Sequence, residues 1–308
     1  MTFDHLLVIG FGGPTKPDEI MPFLRRVVEG TRVPEERLKV VEHHYQETGG
    51  FSPYNACAQR LLDALKTALD ARGLAVPAFI GMKNWHPLLE ETLAQIKSAG
   101  YRRGLALVLA PHRCDASFGK YQRAVESARQ MVGAAELISY DYIGPWFDQP
   151  GFIEAQADQV RAVWDPATDP RLIKTGLLFS AHSIPQEMAR HSDYELEIAV
   201  SATGVATALG VPEWKQVYQS RSGSPSQPWL EPDILRVLEE MSSHGKKRVV
   251  VVPVGFLFNH TEVMYDLDIE AKQKANALGL DFRRASTVMD NPRFVQMLAD
   301  QVEKRWRT

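Results

Sequence analysis

Cysteine is nearly absent. Cys57 and Cys114 are the two found among 308 residues, too few for a disulfide framework or for an iron–sulfur cluster held by cysteine alone. No GxGxxG run occurs either: Gly10, Gly12 and Gly13 lack its spacing. The turn at 10–14 is therefore read as a tight strand exit rather than a dinucleotide cradle. The GxSxG nucleophile elbow is missing, and the SAHS run at 180–183 gives neither serine a nucleophile's context, which sets hydrolysis aside. A net charge of -3 exerts no global pull on nucleic acid, and there is no zinc-finger spacing or basic aromatic repeat. The apolar run at 249–258 is much too short to cross a bilayer, and no basic, apolar and cleavage-site succession opens the chain. The expectation is a cytoplasmic protein with no transmembrane segment, transient peripheral membrane contact being left open.

What is present is an ordinary folded composition, 44% hydrophobic and 24% charged, over a length that accommodates two domains. Short apolar strands are expected at 6–9, 78–80, 105–110 and 137–140, then at 173–179, 215–218 and 248–252. Helical stretches at 18–28, 58–71, 88–98, 152–164 and 291–305 alternate with them. Strands without polar alternation are buried on both faces, and their alternation with helices predicts parallel sheets covered on both sides. The fold class expected is α/β, with two similar Rossmann-like domains at 1–142 and 143–308 and a cleft between them. The Gly/Pro-rich region at 141–151 is the candidate linker, and the terminal helix could pack back on the first domain.

Open α/β sheets carry their chemistry at the carboxyl ends of the strands. Two segments put reactive groups there. GLLFSAHSIP at 176–185 brings His182 just past an apolar strand, where Pro185 limits local helix and suggests a fixed turn. Neutral imidazole accepts a proton or ligates a divalent metal. The second segment, 249–270, joins a buried strand to a polar turn and a row of carboxylates. Glu262, Asp266 and Glu270 are spaced by four, so an α-helix would align them on one face, where a metal ion or a hydrated proton path would offset their repulsion. A solvated acidic face is the plainer reading of the same spacing. Aromatic and polar groups after the earlier strands, among them Tyr45, the 47–53 turn with Ser52, the 82–87 turn and Tyr121, could wall a large flat ligand. Each aromatic taken singly also reads as core.

These motifs resemble the ferrochelatases, specifically the coproporphyrin branch of bacterial haem synthesis. The resemblance runs through VIGFGGP at 8–14, ETGGFSPYN at 47–55, MKNWHP at 82–87, FSAHSIP at 179–185 and VPVGFLFNHTEVMYDLDIEA at 252–271. It implies the class II chelatase fold and insertion of Fe2+, as substrate, into coproporphyrin III to give coprohaem, with no permanent organic cofactor and no iron–sulfur cluster. His182 and Glu262 match the family's catalytic and metal-contacting pair. Tyr45, Ser52 and Tyr121 match porphyrin-pocket positions, and Asp266 and Glu270 match an acidic series along a metal or proton path. Phe11 stands where some relatives carry tyrosine, so it can wall the pocket but cannot ligate product iron. Asn84 replaces a histidine of some relatives. Glu29 stands where a propionate-binding arginine is common, leaving Arg25, Arg26 or Arg32 for that role. The chain lacks the C-terminal extension of some protoporphyrin enzymes. Protoporphyrin IX chelation, a broader cobalt or nickel chelatase, and a non-catalytic porphyrin or haem carrier are the alternatives. A monomer that meets haem-pathway enzymes transiently is the expected state.

Overall fold

The computed structural model describes residues 2–31, 33–170, 172–222 and 226–307. The sequence suggests one boundary at 142/143; the contacts divide the chain into Met1–Ala110, Ala116–Gly144 and Met289–Thr308 as one unit, and Pro111–Asp115 and Pro145–Val288 as the other.

The first unit is built on β1 (His5–Gly10), β2 (Ala78–Met82), β3 (Arg103–Val108) and β4 (Ser139–Ile143), all parallel, in the order β2-β1-β3-β4. Burial follows that order. β1 is buried along its whole length, whereas the edge strand β4 alternates with solvent, because only central strands are covered on both faces and flanked on both sides. The helices are α1 (Ile20–Val27), α2 (Glu35–Glu47), α3 (Tyr54–Asp70), α4 (Leu89–Ser98) and α5 (Lys120–Met131). Two differences from the sequence reading bear on the site. The 42–45 segment, which the sequence reading places before the 47–53 turn without giving it an element, is the end of α2, and residues 141–143 belong to β4 rather than to a linker.

The second unit repeats the plan with β5 (Thr175–His182), β6 (Lys215–Gln219), β7 (Arg248–Val252) and β8 (Asp281–Arg284), parallel and ordered β6-β5-β7-β8. Its helices are α6 (Pro150–Arg161), α7 (Gln186–Arg190), α8 (Tyr194–Leu209), α9 (Ile234–Ser243), the single turn α10 (Thr261–Val263) and α11 (Lys272–Ala277). Val249, Val250, Val251 and Val252 have no exposed surface; each buried valine contributes about 1.5–3 kcal/mol relative to exposure, which explains why so short a strand is stable at the centre. The chain ends in α12 (Pro292–Trp306), capped by the Asn291 side chain on the Arg293 amide at 2.9 Å and packed on α3. Among the described residues, no helix is long and apolar enough to cross a membrane.

In both sheets the chain turns back on itself between the first and third strands of the unit, at β1/β3 and at β5/β7. Connections leave that point in opposite directions and open a crevice at the carboxyl ends, the place where such sheets bind ligands.

Candidate active site

His182 is the last residue of β5, at the switch point of the second sheet. Its backbone is held from three sides. The Tyr194 hydroxyl donates to the His182 carbonyl at 3.0 Å, the Ser183 amide donates to the Gln219 carbonyl at 2.8 Å, and the Ser183 hydroxyl donates to the Leu230 carbonyl at 2.9 Å. On the ring, Nδ1–H donates to the Ser183 carbonyl. That bond selects the tautomer, so Nε2 carries the lone pair. Nε2 lies 3.8 Å from Glu262 Oε1, with the two side chains 31% and 51% exposed, so both can be reached from solvent.

Glu262 reaches this position through the exit of β7. Gly255 packs so closely on β5 that a Cβ there would lie 2.7 Å from Ala181 Cβ, and its amide donates to the Ser180 carbonyl at 3.2 Å. Asn259 accepts from Arg284 Nη1 at 3.2 Å, and Arg284 forks onto Asp268 at 2.6 and 2.7 Å. The acidic segment is thereby tied to the end of β8. It is not the α-helix that the spacing suggests: α10 gives way at Met264 to a π-helix, Met264–Ala271. Such wide turns are rare and are frequently found at functional sites.

Asp266 accepts from the Ser220 hydroxyl, and Gln219 Nε2 donates to the Glu262 carbonyl at 3.1 Å and approaches Asp266 Oδ2 at 3.5 Å. The other end of the Gln219 amide accepts from the Ser180 hydroxyl at 2.6 Å. Gln219 is 2% exposed and faces His182 across the β5/β6 register. One buried amide therefore joins the strand bearing His182 to the segment bearing Glu262 and Asp266. Burial pushes the Asp266 carboxyl up to about 7, the Ser220 hydrogen bond opposes this, and the Glu262 and Glu270 charges add to it. Burial also raises Glu270, with Asp233 contributing. His260, whose Nδ1 is 4.0 Å from Glu262 Oε2, is held below the usual imidazole range by burial. Among the described residues no group of three or more His, Cys, Asp or Glu is arranged as a metal cage.

The structure brings His182, Glu262 and Asp266 together, with Glu270 further along the same π-helix. Gln219, Ser220 and Tyr194 were not singled out from sequence, because nothing local marks them: each acts through a partner twelve or more residues away.

The remaining candidates lie in the first unit. Phe11 follows β1, is 39% exposed, and meets Phe23 edge-on at 6.2 Å. Phe23 in turn meets Tyr45 at 6.1 Å and Trp85 at 6.0 Å, so Phe11 and Tyr45 share one aromatic cluster. Tyr45 is buried there between α1 and α2. Ser52 is buried against the β1 exit, its amide donating to the Pro14 carbonyl at 2.7 Å, and a Cβ on Gly13 would strike its own Cβ at 2.7 Å. Tyr121 is placed apart from these, in the core beneath β1 and β3 with Leu7, Ile9 and Val108. Of the candidate propionate cations, Arg25 pairs with Glu35 at 2.7 Å and Arg26 with Glu90 at 2.7 Å, while Arg32 lies outside the described residues.

Two parallel sheets of matching strand order, each with its switch point at the same strands, define the class II chelatase fold. SirB from Bacillus subtilis, solved with Fe3+, superposes with a TM-score of 0.62 at 13% identity, covering 98% of this chain and 95% of that one. CbiX, described as the terminal enzyme for biosynthesis of siroheme in denitrifying bacteria, does so at 0.55 and 12% identity, covering 97% and 98%. The family model described as Ferrochelatase matches residues 4–306. The ferrochelatase of Rhodopirellula baltica is 41% identical over 306 residues, 98% of this chain and 86% of that protein. The coproporphyrin III ferrochelatase of Mycolicibacterium smegmatis is 37% identical over 309 residues, 99% of this chain and 90% of that protein. The chain belongs to the ferrochelatase family of metal-inserting lyases.

Proposed function

We propose that this protein inserts Fe2+ into coproporphyrin III to form coprohaem, releasing two protons, with His182 and Glu262 as the catalytic pair. The observation that carries the reading is the 3.8 Å approach of His182 Nε2 to Glu262 Oε1 at the carboxyl end of the second sheet, beside a carboxyl raised to about 7.

Insertion requires two pyrrole N–H protons to leave while the hydrated ion sheds water and enters the ring. His182 suits the removal of protons, because Nδ1–H is committed to the Ser183 carbonyl and Nε2 is left as the acceptor for a pyrrole proton. Glu262, on the same side and partly open to solvent, suits the handling of the ion, replacing water on the incoming cation and balancing its charge. A carboxyl poised near neutrality both accepts and gives up a proton at working pH, so Asp266 takes protons onward, with Glu270 continuing the series. Phe11, Tyr45 and Ser52 keep the porphyrin role that the family resemblance gives them, whereas Tyr121, packed in the core beneath β1 and β3, serves the fold. Favouring a bent macrocycle over a flat one is what would lower the barrier. Fe2+ is a substrate here and not a resident group.

The test is anaerobic Fe2+ insertion into coproporphyrin III and protoporphyrin IX at matched concentrations, followed by absorbance, with His182→Ala and Glu262→Ala beside the parent. Preferential coprohaem formation that is lost in both variants is the expected result. Equal or faster protohaem formation assigns the other branch, and porphyrin binding without turnover makes the protein a carrier.

A further inference from the structure

The amino edge of the second sheet, a strand length away from His182, carries an apolar tip ringed by cations. Leu172–Lys174 is a single 3-10 turn leading into β5, opened by the Leu172 amide on the Asp169 carbonyl at 3.2 Å. Ile173 on this turn is 88% exposed, more than any other large hydrophobic side chain among the described residues, and Leu172 beside it is 37% exposed. Apolar surface left in water forgoes the stabilisation that burial would give it, so an isoleucine this open gains from whatever covers it.

The cations come from the loop that enters β7. Gly245, at φ 78°, ends α9 and lets the Lys246 amide return to the Met241 carbonyl at 3.0 Å. Lys246 Nζ then donates to the Ile173 carbonyl at 2.9 Å and to the Thr175 carbonyl at 3.3 Å, and the Lys247 amide donates to the Lys174 carbonyl at 2.8 Å. Those three bonds fasten the 244–247 loop to the 172–174 turn. Lys174, Lys247 and His244 are exposed, and among the described residues neither lysine forms an ion pair. The carboxylates of this edge are engaged elsewhere. Asp169 and Asp281 hold Arg248, and Asp165 accepts from the Ala167 amide and the Thr168 hydroxyl, each at 3.1 Å. The edge is apolar at its tip and positive around it.

We infer that this amino edge docks the protein on an anionic lipid bilayer. Acidic headgroups attract the ammoniums, while the apolar tip enters the boundary between headgroups and acyl chains. A stable protein partner would bury about 800 Å² on this side, far more than one turn with two apolar side chains supplies. β5 runs from Thr175 to His182, a span of about 25 Å, so docking by this edge keeps His182 clear of the bilayer and open to substrate in water. The inference stands apart from the metal-insertion reading and does not depend on which porphyrin is used.

The experiment is co-sedimentation of the full chain with vesicles of phosphatidylglycerol and phosphatidylcholine in equal parts, and with vesicles of phosphatidylcholine alone. The parent binds the mixed vesicles, stays in solution with the neutral ones, and is released by high salt. Lys174→Ser combined with Lys247→Ser lowers the partition coefficient about tenfold or more, and Ile173→Ser lowers it about fivefold or more while keeping the salt dependence. Fe2+ insertion by these variants in vesicle-free solution stays at the parent rate, since none of the three residues lies at the carboxyl edge. Ile173→Trp puts a fluorophore at the tip, and its added emission shifts to the blue on the mixed vesicles. A parent that remains in solution with both kinds of vesicle, binding that survives both the lysine substitutions and Ile173→Ser, or an unshifted emission from vesicle-bound Ile173→Trp overturns the inference. So does a concentration-dependent dimer, abolished by Ile173→Ser, in a parent that ignores vesicles, which makes the tip a self-association surface.

Discussion

Ser220 donates its hydroxyl to Asp266 while its own backbone sits at φ 60°, a left-handed conformation that costs a residue with a Cβ roughly 1 kcal/mol or more. The chain thus accepts strain immediately after β6 in order to aim one hydroxyl at one carboxylate. Removing the donor takes away the larger of the two influences that oppose burial and the neighbouring acids, so Ser220→Ala raises Asp266 above its present value of about 7. Since Asp266 must be ionised to accept a proton, the acidic limb of the pH–rate profile moves to higher pH by about one unit, with a several-fold loss of kcat at pH 7 and little change at pH 9. A profile that keeps its shape and falls uniformly would place Ser220 outside the proton path.

The same carboxyl makes folding pH-dependent. Asp266 is raised from 3.8 to about 7 in the folded chain, so the folded state binds that proton more tightly than the unfolded state. Its contribution to stability is complete below about pH 4 and is lost as pH rises through about 7. Asp266→Asn removes this dependence. Urea unfolding at pH 5 and pH 8 should show the parent losing on the order of 2 kcal/mol more than the variant across that interval. The variant is the more stable protein at pH 8 and the less active one.

The parts of this fold that were legible in the sequence are those that bury both faces. β1, β5 and β7 read as continuous apolar runs because they are buried almost throughout, on both sides of the sheet. β8, with the sequence DFRR at a sheet edge, carries no such run. α2 was hidden because only Leu38 and Tyr45 are buried along it, too thin a stripe to stand out from its charges. In the site, His182 and Glu262 stood out as reactive groups just past apolar strands, and the motifs around them carried the family. The π-helical course of 264–271 did not show, since the spacing of its carboxylates suits an α-helix equally and the hydrogen-bond register is not written in side-chain periodicity. Gln219 reads as one more polar residue at a strand end; its role exists only once β5, β6 and the π-helix are assembled around it.

Gly255 sits where β7 turns away from β5, and an alanine there would put its Cβ 2.7 Å from Ala181 Cβ and 2.9 Å from Ala181 Cα. Neither contact can be relieved by rotating a side chain, so the strand carrying His182 or the turn leading to Glu262 must shift. Gly255→Ala should cost about 1–3 kcal/mol in thermal unfolding. The displacement acts on the spacing of His182 and Glu262, so kcat for metal insertion falls more than tenfold while the KM for porphyrin changes little. A variant that loses stability but keeps kcat would show that the approach of these two strands is only packing.

At the opposite end of β7, stability and chemistry can be separated. The Arg248 side chain, 4% exposed, lies between Asp169 and Asp281, bonded to the second through Nε at 2.6 Å, and Asp169 also accepts from Trp164 Nε1 at 2.7 Å. This cluster closes the amino edge of the second sheet, a full strand length from the edge that bears His182. Arg248→Met strands the buried Asp169 without its cation and should cost about 3–5 kcal/mol. Asp169→Asn in the same chain removes the stranded charge and restores part of that loss. Both variants, measured below their melting temperatures, keep the parent kcat, because nothing at the carboxyl edge depends on this pair. Loss of kcat in the folded Arg248→Met protein would mean that the sheet transmits the repacking along its length, and that the two edges are not independent.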